Sequence, residues 1–144
     1  MRRMEAAHIR HVKTVNGHLD YPVYCLSFDK TGQYFITGAD DHLAKIWGWA
    51  TGRLQLSLRG HCNVISDISV SCDNTMLATA SDDTSIRVWE LVTGAPVVVL
   101  QGHEAVVNLV SFHPCHNVLI SVGDDGMCIL WDLTDRAHLM VDEV

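Results

Sequence analysis

Residues 60–89, "GHCNVISDISVSCDNTMLATASDDTSIRVW", decide the reading of the fold, because a recognisable copy of this stretch stands on either side of it. Gly-His occurs at Gly17-His18, Gly60-His61 and Gly102-His103. Asp-Asp occurs at Asp40-Asp41, Asp82-Asp83 and Asp124-Asp125, and an aromatic stop at Trp47, Trp89 and Trp131. The Trp-to-Trp and Asp-to-Asp steps are all 42 residues. The Gly-His steps are 43 and 42, so the first copy carries one extra residue, most simply within Leu19 to Pro22. Markers that stay in phase across three copies make the chain a repeat array.

A period near 42 that opens on Gly-His and closes on Trp predicts a four-stranded propeller blade per copy. The inner strands are read at Val23 to Phe28, Ile65 to Val70 and Val107 to Phe112, and the second strands at Tyr34 to Ala39, Met76 to Ala80 and Val118 to Val122. Third strands end in Trp at Ala44 to Trp47, Ile86 to Trp89 and Cys128 to Trp131. Thr-Gly at 51–52 and 93–94 then turns into fourth strands at Arg53 to Leu58 and Ala95 to Leu100, with Ala137 to Val141 in that place in the last copy. Runs such as "MLATA" and "VLISV" are apolar on both faces, as sheets buried between sheets require. Ile9 to Val15 alternates and leads into the first Gly-His, so it matches an outer strand whose inner strands are missing. The expected organisation is a lead at 1–8, an orphan outer strand at 9–16, and repeats at 17–58, 59–100 and 101–144. The fold class is all-β: three four-stranded blades of an incomplete β-propeller.

The net charge of −7 and pI near 5.6 argue against direct nucleic-acid binding or attachment to anionic membranes, and favour a basic partner. Five dispersed cysteines, with no Cys-x-x-Cys, suit free thiols in a reducing compartment. Met1-Arg2-Arg3 is followed by polar residues where a signal peptide needs an apolar run, so secretion is not expected. The longest aliphatic run, Pro96 to Leu100, is far too short for a bilayer-crossing helix.

Counting back from each Trp places Asp at 6, Ser or Thr at 10, and His at 28 residues, or 29 in the longer first copy. The sets are His18, Thr37, Asp41, Trp47; His61, Thr79, Asp83, Trp89; and His103, Ser121, Asp125, Trp131. Taken alone, His103, Ser121 and Asp125 match the residue types of a hydrolytic triad, which is the enzymatic alternative. Repetition favours a structural role, since a nucleophile is needed once and a buried polar chain in every blade. No Gly-x-Ser-x-Gly elbow occurs, and two of the three copies carry Thr. No catalytic residue, cofactor or metal is therefore assigned; the His113 to His116 cluster "HPCH" reads as a surface turn.

In each Asp-Asp pair the second carboxylate caps the turn and the first is left to face solvent. Asp40, Asp82 and Asp124 are equivalent by the repeat, and so are Tyr24, Ser66 and Asn108, each the second residue of an inner strand. Both sets are expected at the channel mouth on one face, where an acidic rim suits Lys or Arg side chains of a peptide.

The repeats resemble WD-repeat blades, with Trp followed by Gly48, Glu90 and, in the last copy alone, Asp132. More narrowly, "VYCLSFDKTGQYFITGADDHLAKIW", "GRLQLSLRGH", "ISDISVSCDNTMLATASDD" and "IRVWELVTGAPVVVLQGH" resemble the opening WD repeats of the bromodomain-and-WD-repeat family, over about Ile9 to Leu100. The third repeat, "FHPCHNVLISVGDDGMCILWD", fits the wider WD pattern equally well. The resemblance implies a nuclear, chromatin-associated, non-catalytic scaffold of transcription regulation that docks proteins, histone-like basic peptides among them. It also implies, as an alternative, a substrate receptor of a cullin ubiquitin ligase; the Arg or Lys of that docking motif is replaced here by Ala50, Val92 and Thr134. Three blades do not close a ring of four to eight. The remaining blades of a longer propeller, or copies of the chain, are therefore further expected partners.

Overall fold

The computed structural model describes residues 9–135. Eleven strands form three antiparallel sheets and no helix occurs among these residues. The first blade is β1 (Val23–Phe28), β2 (Tyr34–Ala39), β3 (Ala44–Gly48) and β4 (Leu54–Leu58), and the second is β5 (Ile65–Val70), β6 (Met76–Ser81), β7 (Ile86–Glu90) and β8 (Pro96–Leu100). In both, sequence order is spatial order, as short hairpins dictate. The third blade is ordered β11-β10-β9, from β9 (Val107–Phe112), β10 (Val118–Gly123) and β11 (Cys128–Asp132). The fourth strand read at Ala137 to Val141 lies outside the described residues. Gly52 and Gly94, at φ of +68° and +73°, occupy the left-handed turn positions that lead into β4 and β8, where a Cβ would be strained.

The hydrophobic core lies between blades. Ile36, Ala44, Ile46 and Leu58 of the first blade meet Ile65, Ile68, Val70 and Leu77 of the second. Met76, Ala78, Ala80 and Val88 then meet Val107, Val110 and Phe112 of the third. All six residues of β6 are consequently buried, which explains an apolar run with no alternation. Polar links cross the joints as well. Asp67 Oδ2 accepts from the Val110 N–H and Ser69 Oγ from the Phe112 N–H, both at 2.9 Å. Between the first two blades, Lys30 N–H donates to Asn74 Oδ1 at 2.7 Å and Asn74 Nδ2 donates to Asp29 Oδ2 at 3.1 Å. Cys25 sits in the same joint with its thiol against the Ile65 carbonyl, and burial pushes its pKa up to about 12, so it is an unreactive thiol.

Equivalent positions differ where a neighbouring blade is lacking among the described residues. Ile68 and Val110 are 5% and 4% exposed, whereas Leu26 in the same place on the first blade is 69% exposed. On the other side, Val88 is fully buried and its equivalent Leu130 is 68% exposed. Residues 9–16, read above as an outer strand, enter no strand ladder in the structure, which corrects that reading at the level of hydrogen bonding. Their placement is nevertheless that of an outer strand. Lys13 and Val15 lie against Gly52, as Leu56 and Leu58 of β4 lie against Gly94 one repeat later. A strand is defined by pairing, and the described residues offer it no inner strand.

Candidate functional site

The four residues collected by counting back from each Trp are brought together in every blade. In the second, the Trp89 Nε1–H donates to Thr79 Oγ1 at 3.0 Å, Thr79 Oγ1 lies 2.8 Å from His61 Nε2, and His61 Nδ1 lies 2.8 Å from Asp83 Oδ2. The first blade repeats this with 2.9, 2.7 and 2.8 Å through Trp47, Thr37, His18 and Asp41. The third has 2.9, 2.8 and 2.7 Å through Trp131, Ser121, His103 and Asp125. An indole only donates and a carboxylate only accepts, so each hydroxyl accepts from Trp and each His donates from Nδ1 to Asp. In the second blade, where burial favours neutral His61, Thr79 in turn donates to Nε2.

The same four residues shape the turns. The second oxygen of each Asp accepts the N–H two residues on: Leu43 at 3.1 Å, Ser85 at 2.9 Å and Met127 at 2.9 Å. The Gly before the first and third His is required by contact, since a Cβ on Gly17 would fall 2.1 Å from the Trp47 ring, and on Gly102 2.9 Å from Trp131. Ser121 is 1% exposed and its oxygen is shared between Trp131 and His103. An attacking oxygen needs access to a substrate, and this one is buried.

Burial holds the pKa of His61 below the ordinary imidazole value of 6.5, against the pull of Asp83. Burial is also the largest influence on Asp83 and works upward. Hydrogen bonds from Ser85, the Cys62 N–H and His61 outweigh it and bring Asp83 to about 2. Both groups therefore have folded values below their unfolded ones. The stability due to His61 is complete above pH 6.5 and is lost as pH falls toward its folded value, while that of Asp83 is complete above 3.8 and is lost toward about 2. Melting temperature followed by circular dichroism should fall in two stages on acidification, the first beginning below about pH 6.5. A melt unchanged down to about pH 4 would rule out the His61 contribution.

The rim, expected to face solvent, is exposed at Asp124 and half-buried at Asp40 and Asp82, and it is built by a second repeated device. Each inner strand carries a β-bulge against its neighbour, and the extra residue is Tyr24, Ser66 or Asn108. A bulge re-aims the side chain it carries. Beside it, the N–H of Asp40, Asp82 and Asp124 donates to the carbonyls of Pro22, Val64 and Val106, at 3.0, 3.0 and 2.9 Å. Each carboxylate-bearing residue is thereby tied to the residue that enters the inner strand, and all three stand at the same end of their blades. Asn108 Nδ2 donates to Asp124 Oδ1 at 2.6 Å. Tyr24 is exposed, while the Ser66 hydroxyl donates to the Val107 carbonyl and is committed to the joint with the third blade. Sequence reading missed Asp67 and Ser69 as joint residues; the available signal was their polarity within the otherwise apolar strand "ISDISV".

Among the described residues, no group of three or more His, Cys, Asp or Glu is arranged to hold a metal ion, and His113 and His116 stack on one another at 4.8 Å between centroids. All five cysteines are free thiols, and no helix among these residues is long and apolar enough to cross a membrane.

The chain is 52% identical over 65 residues to a bromodomain and WD repeat-containing protein of Dictyostelium discoideum, covering 45% of this chain and 3% of that one. It is 40% identical over 60 residues to the pre-mRNA-splicing factor PRP46 of Saccharomyces cerevisiae, covering 41% and 13%. It is 35% identical over 68 residues to the nuclear distribution protein nudF of Aspergillus flavus, covering 46% and 15%. The chain thus spans a small part of each of these relatives. A solved structure of U3-55K superposes with a TM-score of 0.79 at 20% identity, over 81% of this chain and 38% of that one, which shows the shared fold. The model of the WD domain, G-beta repeat matches residues 9–48, 52–90 and 94–132, and with three in-phase tetrads in three propeller blades the chain belongs to the WD40 repeat family.

Proposed function

We propose that the chain is a non-catalytic scaffold that binds a basic peptide segment of a protein partner across the rim of Asp40, Asp82 and Asp124, with Tyr24 and Asn108 beside the carboxylates and Ser66 at its inner edge. The observation that carries this reading is the repeated anchoring of those three Asp residues at one end of the blades, next to a bulged residue in each. The net charge of −7 acts in the same direction by favouring encounter with a cationic partner. The twelve tetrad residues hold the blades, and the burial of Ser121 supports their structural role. The 52% identity to a bromodomain and WD repeat-containing protein supports a nuclear, chromatin-associated setting, with histone-like basic peptides as the partner class.

The test is binding of a fluorescent Lys- and Arg-rich peptide to the triple variant Asp40→Lys, Asp82→Lys and Asp124→Lys. Roughly tenfold or greater loss of affinity is expected, with a weaker salt dependence than the parent chain shows. Reversing Asp73, Glu90 and Asp132 at the opposite ends of the strands makes the same change in net charge and serves as the control, and should cost much less. Equal losses in the two variants, or binding unchanged by the triple substitution, overturn the rim.

A further inference from the structure

We propose a second binding site, in the joint between the first two blades, that takes the methionine side chain of an extended segment of a partner protein. Tyr34, Ile46 and Leu56 of the first blade and Leu91 and Val92 of the second enclose a cavity of about 340 Å³, with Gln55 and Asn74 as its polar members. Both walls belong to complete four-stranded blades. Tyr34 opens β2, whose far end leads to Asp40, and Leu91 follows β7, so the cavity lies at the end of the blades away from the acidic rim. The two walls are tied together across the joint, since Asn74 accepts from the Lys30 N–H at 2.7 Å and donates to Asp29 at 3.1 Å.

The next joint shows what such a cavity accepts. One repeat of 42 residues on, Tyr34, Ile46, Leu56 and Leu91 become Met76, Val88, Val98 and Leu133. There Met76 is 1% exposed and packs with Val88, Val98 and Leu133 in one cluster. At the first joint Tyr34 is 37% exposed and stands outside the cluster that joins Ile46, Leu56 and Leu91. Side-chain chemistry accounts for the difference. A thioether chain is flexible and apolar and fills an irregular gap, whereas a phenol keeps its hydroxyl in water and leaves the space beside it open. The cavity therefore has the walls, and the place in the fold, of a site that the chain itself fills with methionine one repeat later. Its lining side chains carry no charge, so a Lys or Arg of the kind that suits the rim would be buried there without a partner. The Tyr34 ring offers a sulfur–aromatic contact, and its hydroxyl and the exposed Gln55 amide supply hydrogen-bonding groups for a peptide backbone.

The probe is N-acetyl-methionine methylamide, titrated into the 15N-labelled chain up to about 10 mM, the range suited to a fragment of this size, and followed by the amide shifts of Gln55, Leu91 and Val92. The alanine and lysine analogues should bind roughly fivefold or more weakly. Tyr34→Met fills the cavity from within, as Met76 does, and should both raise the melting temperature and abolish the shifts. Val92→Asp changes a residue that is 79% exposed, so it spares the core, and should weaken binding by placing a charge beside the site. The rim variant with Asp40, Asp82 and Asp124 changed to Lys should bind the probe as the parent chain does, so this site is tested apart from the rim. Absence of shifts at those amides, equal affinity for the three compounds, or binding unchanged by both Tyr34→Met and Val92→Asp overturns the proposal. Binding that appears only in Met140→Ala also overturns it, because the chain's own Met140 would then be the occupant in place of a partner.

Discussion

Thr79→Val lowers the unfolding free energy by about 2–5 kcal/mol, although it exchanges a hydroxyl for a methyl of nearly equal volume. The reason is that Thr79 Oγ1 is the one acceptor of the Trp89 N–H and the donor to His61 Nε2, so its loss strands two buried polar groups. The effect is large against a typical domain stability of about 5–15 kcal/mol. Urea unfolding followed by Trp fluorescence measures it. The same exchange at Thr37 should cost less, because the first blade has an open front where water reaches the chain. In a double-mutant cycle, Thr79→Val with Trp89→Phe should be far from additive, since either change removes the same hydrogen bond. Equal costs at Thr79 and Thr37 would refute the access of water to the first tetrad, and additivity with Trp89→Phe would refute the description of the tetrad as one coupled unit.

Ile68→Asp should abolish cooperative folding, whereas Leu26→Asp at the equivalent position of the first blade should leave the melt nearly unchanged when measured dilute. Ile68 packs in the joint between the first two blades, where a carboxylate has no cation or hydrogen-bond partner, and such burial costs more than a chain of this size has in reserve. Leu26 faces the open groove and its replacement carboxylate remains hydrated. Near-ultraviolet circular dichroism at low concentration separates the two variants. Comparable destabilisation by both would mean that the front of the first blade is covered within the monomer.

The repeat made much of the fold legible. Strand positions followed from apolar runs between turns, and the tetrads followed from spacing, because each blade must satisfy the same buried indole, hydroxyl and imidazole with the same partners. The rim was legible as a set of equivalent positions for the same reason. What sequence could not supply was the bulge that re-aims Tyr24, Ser66 and Asn108, since a bulge is a property of pairing between two strands. Nor did it reveal that Ser66 spends its proton on the Val107 carbonyl, 41 residues away.

By itself, then, the sequence determined what is local and repeated: blade number, strand order, and the residues that must meet inside each blade. Local hairpins and a conserved spacing within the chain leave few ways to satisfy those groups. The tertiary structure alone decided which of three equivalent residues is buried. Leu26, Ile68 and Val110 occupy the same place in their blades, yet their exposure depends on whether another sheet lies across them. It also decided that residues 9–16 hold the place of an outer strand without being one, because a strand exists only through the partner that accepts its hydrogen bonds.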